Sequence, residues 1–147
     1  MKDTKMKNPI ITKIVLILSG LIATGVGVGV LFMPHAFHAS AGIVLGDDVN
    51  LLNEMRSSGG MLLASGLFIL FGAIRASMAF FALIISTTLY LSYGLSRVVS
   101  IVADGIPDGS MLQILVSELL IGMLCAILLK TKWAPSRSST HLAQPVD

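Results

Sequence analysis

Charged and uncharged positions divide the chain into long apolar stretches separated by short polar connectors. Residues 14–33, 57–74 and 76–95 carry no charge, and residues 110–130 hold only Glu118 before Lys130. Each stretch is close to the ~20 residues a helix needs to cross ~30 Å of hydrocarbon. The pattern predicts an all-α integral membrane protein, a bundle of four spanning helices over residues 14–130. A basic leader (residues 1–13) and a Ser- and Pro-containing tail (residues 131–147) flank it.

The connectors carry turn and cap chemistry. Pro34 ends the first span, since proline disfavours helix at the residue before it. Asp47 and Asp48 offer N-cap carboxylates for a helix starting near Val49, which runs through Asn53, Glu54 and Arg56 into the second span. Arg75 marks a hairpin only a few residues long. Asp104-Gly105, Pro107 and Asp108-Gly109 are turn formers. Ser110 with Gln113 three residues on fits a capping box for the fourth span. Lys130 and Lys132 close that span, and Trp133 suits a headgroup-level anchor.

Composition agrees with this reading. The chain is 54% hydrophobic and only 12% charged, with a mean hydropathy of +0.87, whereas a soluble domain carries roughly 25% charge. A basic start followed by an apolar run also describes a secretory signal peptide. The first run exceeds the usual ~7–15-residue apolar region of such a signal, so it reads as a span. The single cysteine, Cys125, excludes an internal disulfide and reads as a small core residue. No nucleotide loop, hydrolase elbow, zinc signature or nucleic-acid patch is present, and no cofactor is expected.

Charge orients the spans. Lys2, Lys5, Lys7 and Lys13 precede the first span, Arg75 sits in the middle turn, and Lys130, Lys132 and Arg137 follow the last. Asp47, Asp48 and Glu54, then Asp104 and Asp108, lie in the other two connectors. Basic residues favour the cytoplasmic side. Four spans with both termini cytoplasmic satisfy all three basic regions, in a bacterial inner membrane with acidic connectors facing the periplasm.

The polar residues inside the spans are the candidate site. A carboxylate at the bilayer centre costs about 2.5–3.5 kcal/mol on insertion scales, so Glu118 is expected to face the bundle. Gly122 and Ala126 follow it at i+4 and i+8, a small-residue face suited to helix packing. Gly25 with Gly29, and Gly60 with Ala64 below Arg56, form similar stripes. Ser86, Tyr90, Tyr93 and Arg97 recur along one face of the third span. Helix geometry places Glu118 about 12 Å below Ser110. Arg56 or Arg97 is then its expected counter-ion, with Glu54 and Asp104 just above. His35 and His38 are weak metal candidates, since such sites need three or four ligands and no third lies nearby.

The run Asn53-Glu54-Met55-Arg56-Ser57-Ser58-Gly59-Gly60 resembles a signature of a bacterial "domain of unknown function" family, number four-three-four-five. Tyr93-Gly94-Leu95-Ser96-Arg97, with Ser100 and Asp104-Gly105-Ile106-Pro107, resembles its second signature, although members often have Gly where Ser96 stands. Glu118 fits the family's acidic position in the last span. The likeness covers residues 14–129 and implies a small four-span membrane protein, loosely DoxX-like in architecture, with no assigned activity. Three classes stay open. The first is a non-enzymatic accessory module that meets itself or another membrane protein through small-residue helix faces. The second is a small-solute or proton-handling transporter using Glu118. The third is a redox or metal protein using His35 and His38.

Overall fold

The computed structural model of the protein describes residues 9–133, with side chains as far as residue 131. The leader before Pro9, the tail after Trp133 and the expected anchor side chain of Trp133 lie outside the described residues. Every element is helical: α1 Pro9–Phe32, α2 Pro34–Ala39, α3 Val49–Ile74, a short 3₁₀ turn Ala76–Met78, α4 Ala79–Asp104 and α5 Gly109–Trp133. Four of them are long and apolar enough to cross a membrane.

The helix boundaries follow from local chemistry. Met33, ahead of Pro34, leaves the helical region at φ −132° and ψ 54°, so α1 stops and α2 starts with the proline in its first turn. The Asp48 carboxylate accepts from the amides of Asn50 at 2.8 Å and Leu51 at 2.9 Å, capping α3. The helix therefore begins eight residues before the apolar stretch, and Asn53, Glu54 and Arg56 ride on its first turns. Gly105, at φ 102°, ends α4 in a conformation open to glycine.

The start of α5 departs from the expected capping box. Asp108 Oδ1, not Ser110, accepts from the Met111 amide at 3.1 Å, and the Ser110 hydroxyl donates to the same carboxylate at 2.6 Å. A carboxylate two residues earlier is the better acceptor for the orphan amides, and among the described residues it leaves Gln113 with no capping role. Those two bonds, the serine's first, hold the Asp108 carboxyl below the usual carboxylate range.

Helices α1 and α3 approach until their backbones touch. A β-carbon added at Gly66 would meet the Thr24 amide nitrogen at 2.5 Å, and one at Gly59 would meet the Leu31 nitrogen at 2.6 Å. Gly27 is pressed onto Leu63 and Gly20 onto Leu70. Each contact moves up one helix as it moves down the other, the register of antiparallel neighbours. Gly59, Leu62, Gly66, Ile69 and Ala73 are buried at alternating steps of three and four, the spacing of a left-handed helix pair. Gly94 against Leu119 and Gly122 against Leu91 repeat the antiparallel relation between α4 and α5.

The packing overturns part of the small-residue reading. Gly25 and Gly60 have nothing within 4 Å of an added β-carbon, and Ala64 is exposed. Gly29 holds the Phe37 ring of α2 rather than a neighbouring span. The sequence shows which residues are small but not the rotational phase of the helix, and the phase turns Gly60 and Ala64 outward. Gly122 is buried against α4, with Ala126 half-buried beside it.

The inner core closes one end of the bundle. Leu16, Ile69, Ala82, Leu83, Cys125 and Leu128 form one buried cluster drawn from α1, α3, α4 and α5. Both described ends of the chain, the start of α1 and the finish of α5, lie at this end.

Candidate functional site

Helix α4 carries the polar stripe, and one position after another turns toward a neighbour. Ser86 is fully buried, with its hydroxyl 3.2 Å from Cys125 Sγ on α5. One turn on, Tyr90 is 6% exposed and its hydroxyl donates to the Ser19 carbonyl of α1 at 2.5 Å. Tyr93 is half-buried, within electrostatic range of Arg97 and Glu118. Arg97 Nε donates to Glu118 Oε2 on α5 at 2.8 Å. Its Nη1 meets Met111 Sδ at 3.6 Å. The side chain of Glu118 is 13% exposed and that of Arg97 34%.

Burial here follows from helix phase. Gly94 lets Leu119 lie close against α4, and this approach sets Arg97 beside Glu118 one turn further along. Glu118 lies nine residues into α5, about 13 Å from its start. At that depth a charge without a partner is costly, and a charge-assisted hydrogen bond offsets much of the penalty.

The other charged candidates are elsewhere. Arg56 does not reach Glu118; its Nη1 donates to the Leu31 carbonyl at the end of α1, at 2.5 Å. That carbonyl is one of the unsatisfied acceptors of a helix terminus, so the guanidinium acts there as a C-cap. Glu54 is exposed on the first turns of α3. Asp104 is exposed and accepts from the Ser100 hydroxyl at 3.1 Å. Neither carboxylate contacts the Arg97–Glu118 pair among the described residues. Position along the helix axis puts these groups near the same level, but their angles around the axes differ.

His35 and His38 sit on α2, outside the bundle interior. His38 Nδ1 lies 2.8 Å from the Pro34 carbonyl, and His35 Nε2 lies 3.7 Å from Asp47 Oδ1. Among the described residues, no three His, Cys, Asp or Glu side chains converge as a metal site would require.

Three contacts were not legible in the residue pattern: Ser86 with Cys125, Tyr90 with the Ser19 carbonyl, and Arg97 with Met111. The inward stripe pointed to Ser86 and Tyr90. A partner that is a backbone carbonyl or a thioether leaves no mark of its own in sequence.

The family model described as Domain of unknown function (DUF4345) matches residues 11–129. The chain belongs to this family. Every contact of the α4 stripe described above falls inside the segment shared with DUF4345. No curated protein and no solved structure matches the chain.

Proposed function

We propose that this DUF4345 protein is a non-enzymatic accessory or interaction module of the bacterial inner membrane, with both termini cytoplasmic. In this reading the Arg97–Glu118 pair locks α5 onto the rest of the bundle. The 2.8 Å Nε–Oε2 contact between helices carries the reading. It ties the least enclosed helix to α4 with an intramembrane salt bridge, and Ser86 and Tyr90 spend their hydroxyls inside the protein. Such a set has the character of a fastener, since each group is satisfied by another part of the same chain. The asymmetry of charge between connectors supports the orientation.

Exchange of the two charges tests this. Arg97→Gln and Glu118→Gln each leave one partner unpaired, for which losses of about 3–5 kcal/mol are typical of fully buried pairs. Arg97 keeps a third of its side chain exposed, so the lower end applies. Both single variants are expected to lower the yield of assembled, detergent-stable protein. The double variant Arg97→Glu with Glu118→Arg is expected to recover part of it. Single variants that assemble as well as the wild type would refute the fastener.

That same partial exposure of Arg97 favours a second reading, in which Glu118 exchanges a proton or holds a small solute in the outer half of the bundle. Glu118→Gln would then fold normally and abolish proton or solute flux in reconstituted vesicles.

A further inference from the structure

The Arg97–Glu118 contact uses only part of what the two groups offer. A guanidinium and a carboxylate can close on each other through two parallel bonds that occupy both oxygens. Here Nε donates to Oε2 alone. Nη1 meets the Met111 thioether, a weak acceptor, and Nη2 and Glu118 Oε1 have no partner among the described residues. The Tyr93 hydroxyl, one turn before Arg97 on α4, is likewise without a partner there and lies within electrostatic range of both charges. Cationic N–H donors, an anionic acceptor and a hydroxyl able to do either therefore lie together.

Helix register places these groups at a step in the bundle. Gly59 on Leu31 sets the level of α3 against α1, Gly72 on Ala82 that of α4 against α3, and Gly94 on Leu119 that of α5 against α4. Followed along these contacts, Arg97 and Glu118 fall within one turn of the level where α1 ends at Phe32. Helix α4 continues to Asp104 and α5 starts at Gly109, so both rise about 10 Å or more beyond the pair. The chain after α1 turns aside there into α2, whose Phe37 ring lies against Gly29. The pair thus sits where four long helices become three, in keeping with the 34% exposure of the Arg97 side chain.

We propose that Arg97, Tyr93 and Glu118 bind a small zwitterion on this step, its anionic end on the Arg97 Nη donors and the Tyr93 hydroxyl, its ammonium on Glu118 Oε1. The two protein charges sum to zero. A plain anion is opposed by Glu118 and a plain cation by Arg97, whereas a guest carrying both charges meets a partner at each end. A primary ammonium supplies the N–H that a carboxylate oxygen accepts, and a quaternary one has none to give. Such a guest has two sources, the phosphoethanolamine headgroup of a membrane lipid or a free amino acid. The inference rests on the second reading above, in which Glu118 holds a small solute, and it leaves the Nε–Oε2 bond of the fastener in place.

Calorimetric titration of the full-length protein, delipidated in maltoside detergent, tests it with glycerophosphoethanolamine and with alanine. Binding of at least one is expected, with glycerophosphocholine, ethanolamine and inorganic phosphate each weaker by about tenfold. Binding of glycerophosphoethanolamine but not alanine, with phosphatidylethanolamine retained over phosphatidylcholine in native mass spectra, assigns the lipid source. Binding of alanine alone assigns the soluble one. Tyr93→Phe is expected to weaken binding roughly tenfold, the loss of one hydrogen bond to a charged group. That hydroxyl has no partner among the described residues, so the variant is expected to keep wild-type helicity and detergent stability. In the molecules that assemble, Glu118→Gln is expected to reverse the preference, toward inorganic phosphate. No binding of either zwitterion, equal binding of phosphate or ethanolamine alone, or unchanged binding in a folded Tyr93→Phe would overturn the proposal. Solute flux that stops in Glu118→Gln while no zwitterion binds would leave the solute reading standing and remove the zwitterion.

Discussion

Alanine at Gly66 should separate two helices that alanine at Gly60 leaves undisturbed. A β-carbon on Gly66 would stand 2.5 Å from both the Thr24 amide nitrogen and its Oγ1, and 3.0 Å from the Ala23 carbonyl carbon. Favourable contact between heavy atoms begins near 3.5 Å, so α1 and α3 must part by about 1 Å. Two of those neighbours belong to the backbone, and no rotamer change relieves them. A gap of that size forfeits a quarter to a half of the dispersion energy along the seam. The neighbouring contacts of Gly59 with Leu31 and Gly27 with Leu63 open with it. Overpacking of a tight interface costs about 1–3 kcal/mol. Helices stay largely formed when a membrane bundle comes apart, so alanine's better propensity offsets little. The expected loss for Gly66→Ala is about 2 kcal/mol, read as reversible unfolding in mixed micelles of increasing denaturing detergent. At Gly60 an added β-carbon has nothing within 4 Å, and Gly60→Ala should stay within about 0.5 kcal/mol of wild type. Equal stability of Gly66→Ala and wild type, or an equal loss in both variants, would refute the backbone-contact argument.

Two further outcomes follow from single hydrogen bonds. Tyr90→Phe removes the donor to the Ser19 carbonyl and should cost about 0.6–1.7 kcal/mol in the same assay, the range for hydrogen bonds between membrane helices; no loss would show that this bond contributes nothing to the bundle. The ionised Asp108 carboxylate is favoured in the fold by Ser110 and the Met111 amide, so its capping contribution is present above the usual carboxylate range and fades as pH falls through the lowered value. Amide exchange at Met111 should accelerate on acidification in the wild type but not in Asp108→Asn, which caps without titrating; identical pH profiles would exclude the carboxylate as the cause.

How much of this was legible beforehand depends on the kind of information each feature carries. Four apolar stretches of spanning length determined an all-helical membrane protein, because lipid offers the backbone no hydrogen bonds and each span must satisfy its own. Asp48 and Pro34 marked their boundaries because capping and proline effects act within a few residues. Glu118 stood out because a carboxylate in hydrocarbon requires a partner. The identity of that partner was a tertiary matter. Arg56 and Arg97 both sit toward the end of the bundle opposite the start of α1, and only the rotation of each helix puts Arg97 on Glu118 and Arg56 on the Leu31 carbonyl. Rotation likewise separates Gly66, pressed onto Thr24, from Gly60, which faces open space six residues away. Composition and spacing along the chain report how long and how apolar a helix is. Which side of it meets a neighbour is decided by the fit of all the helices at once, and no stretch of residues contains that fit alone.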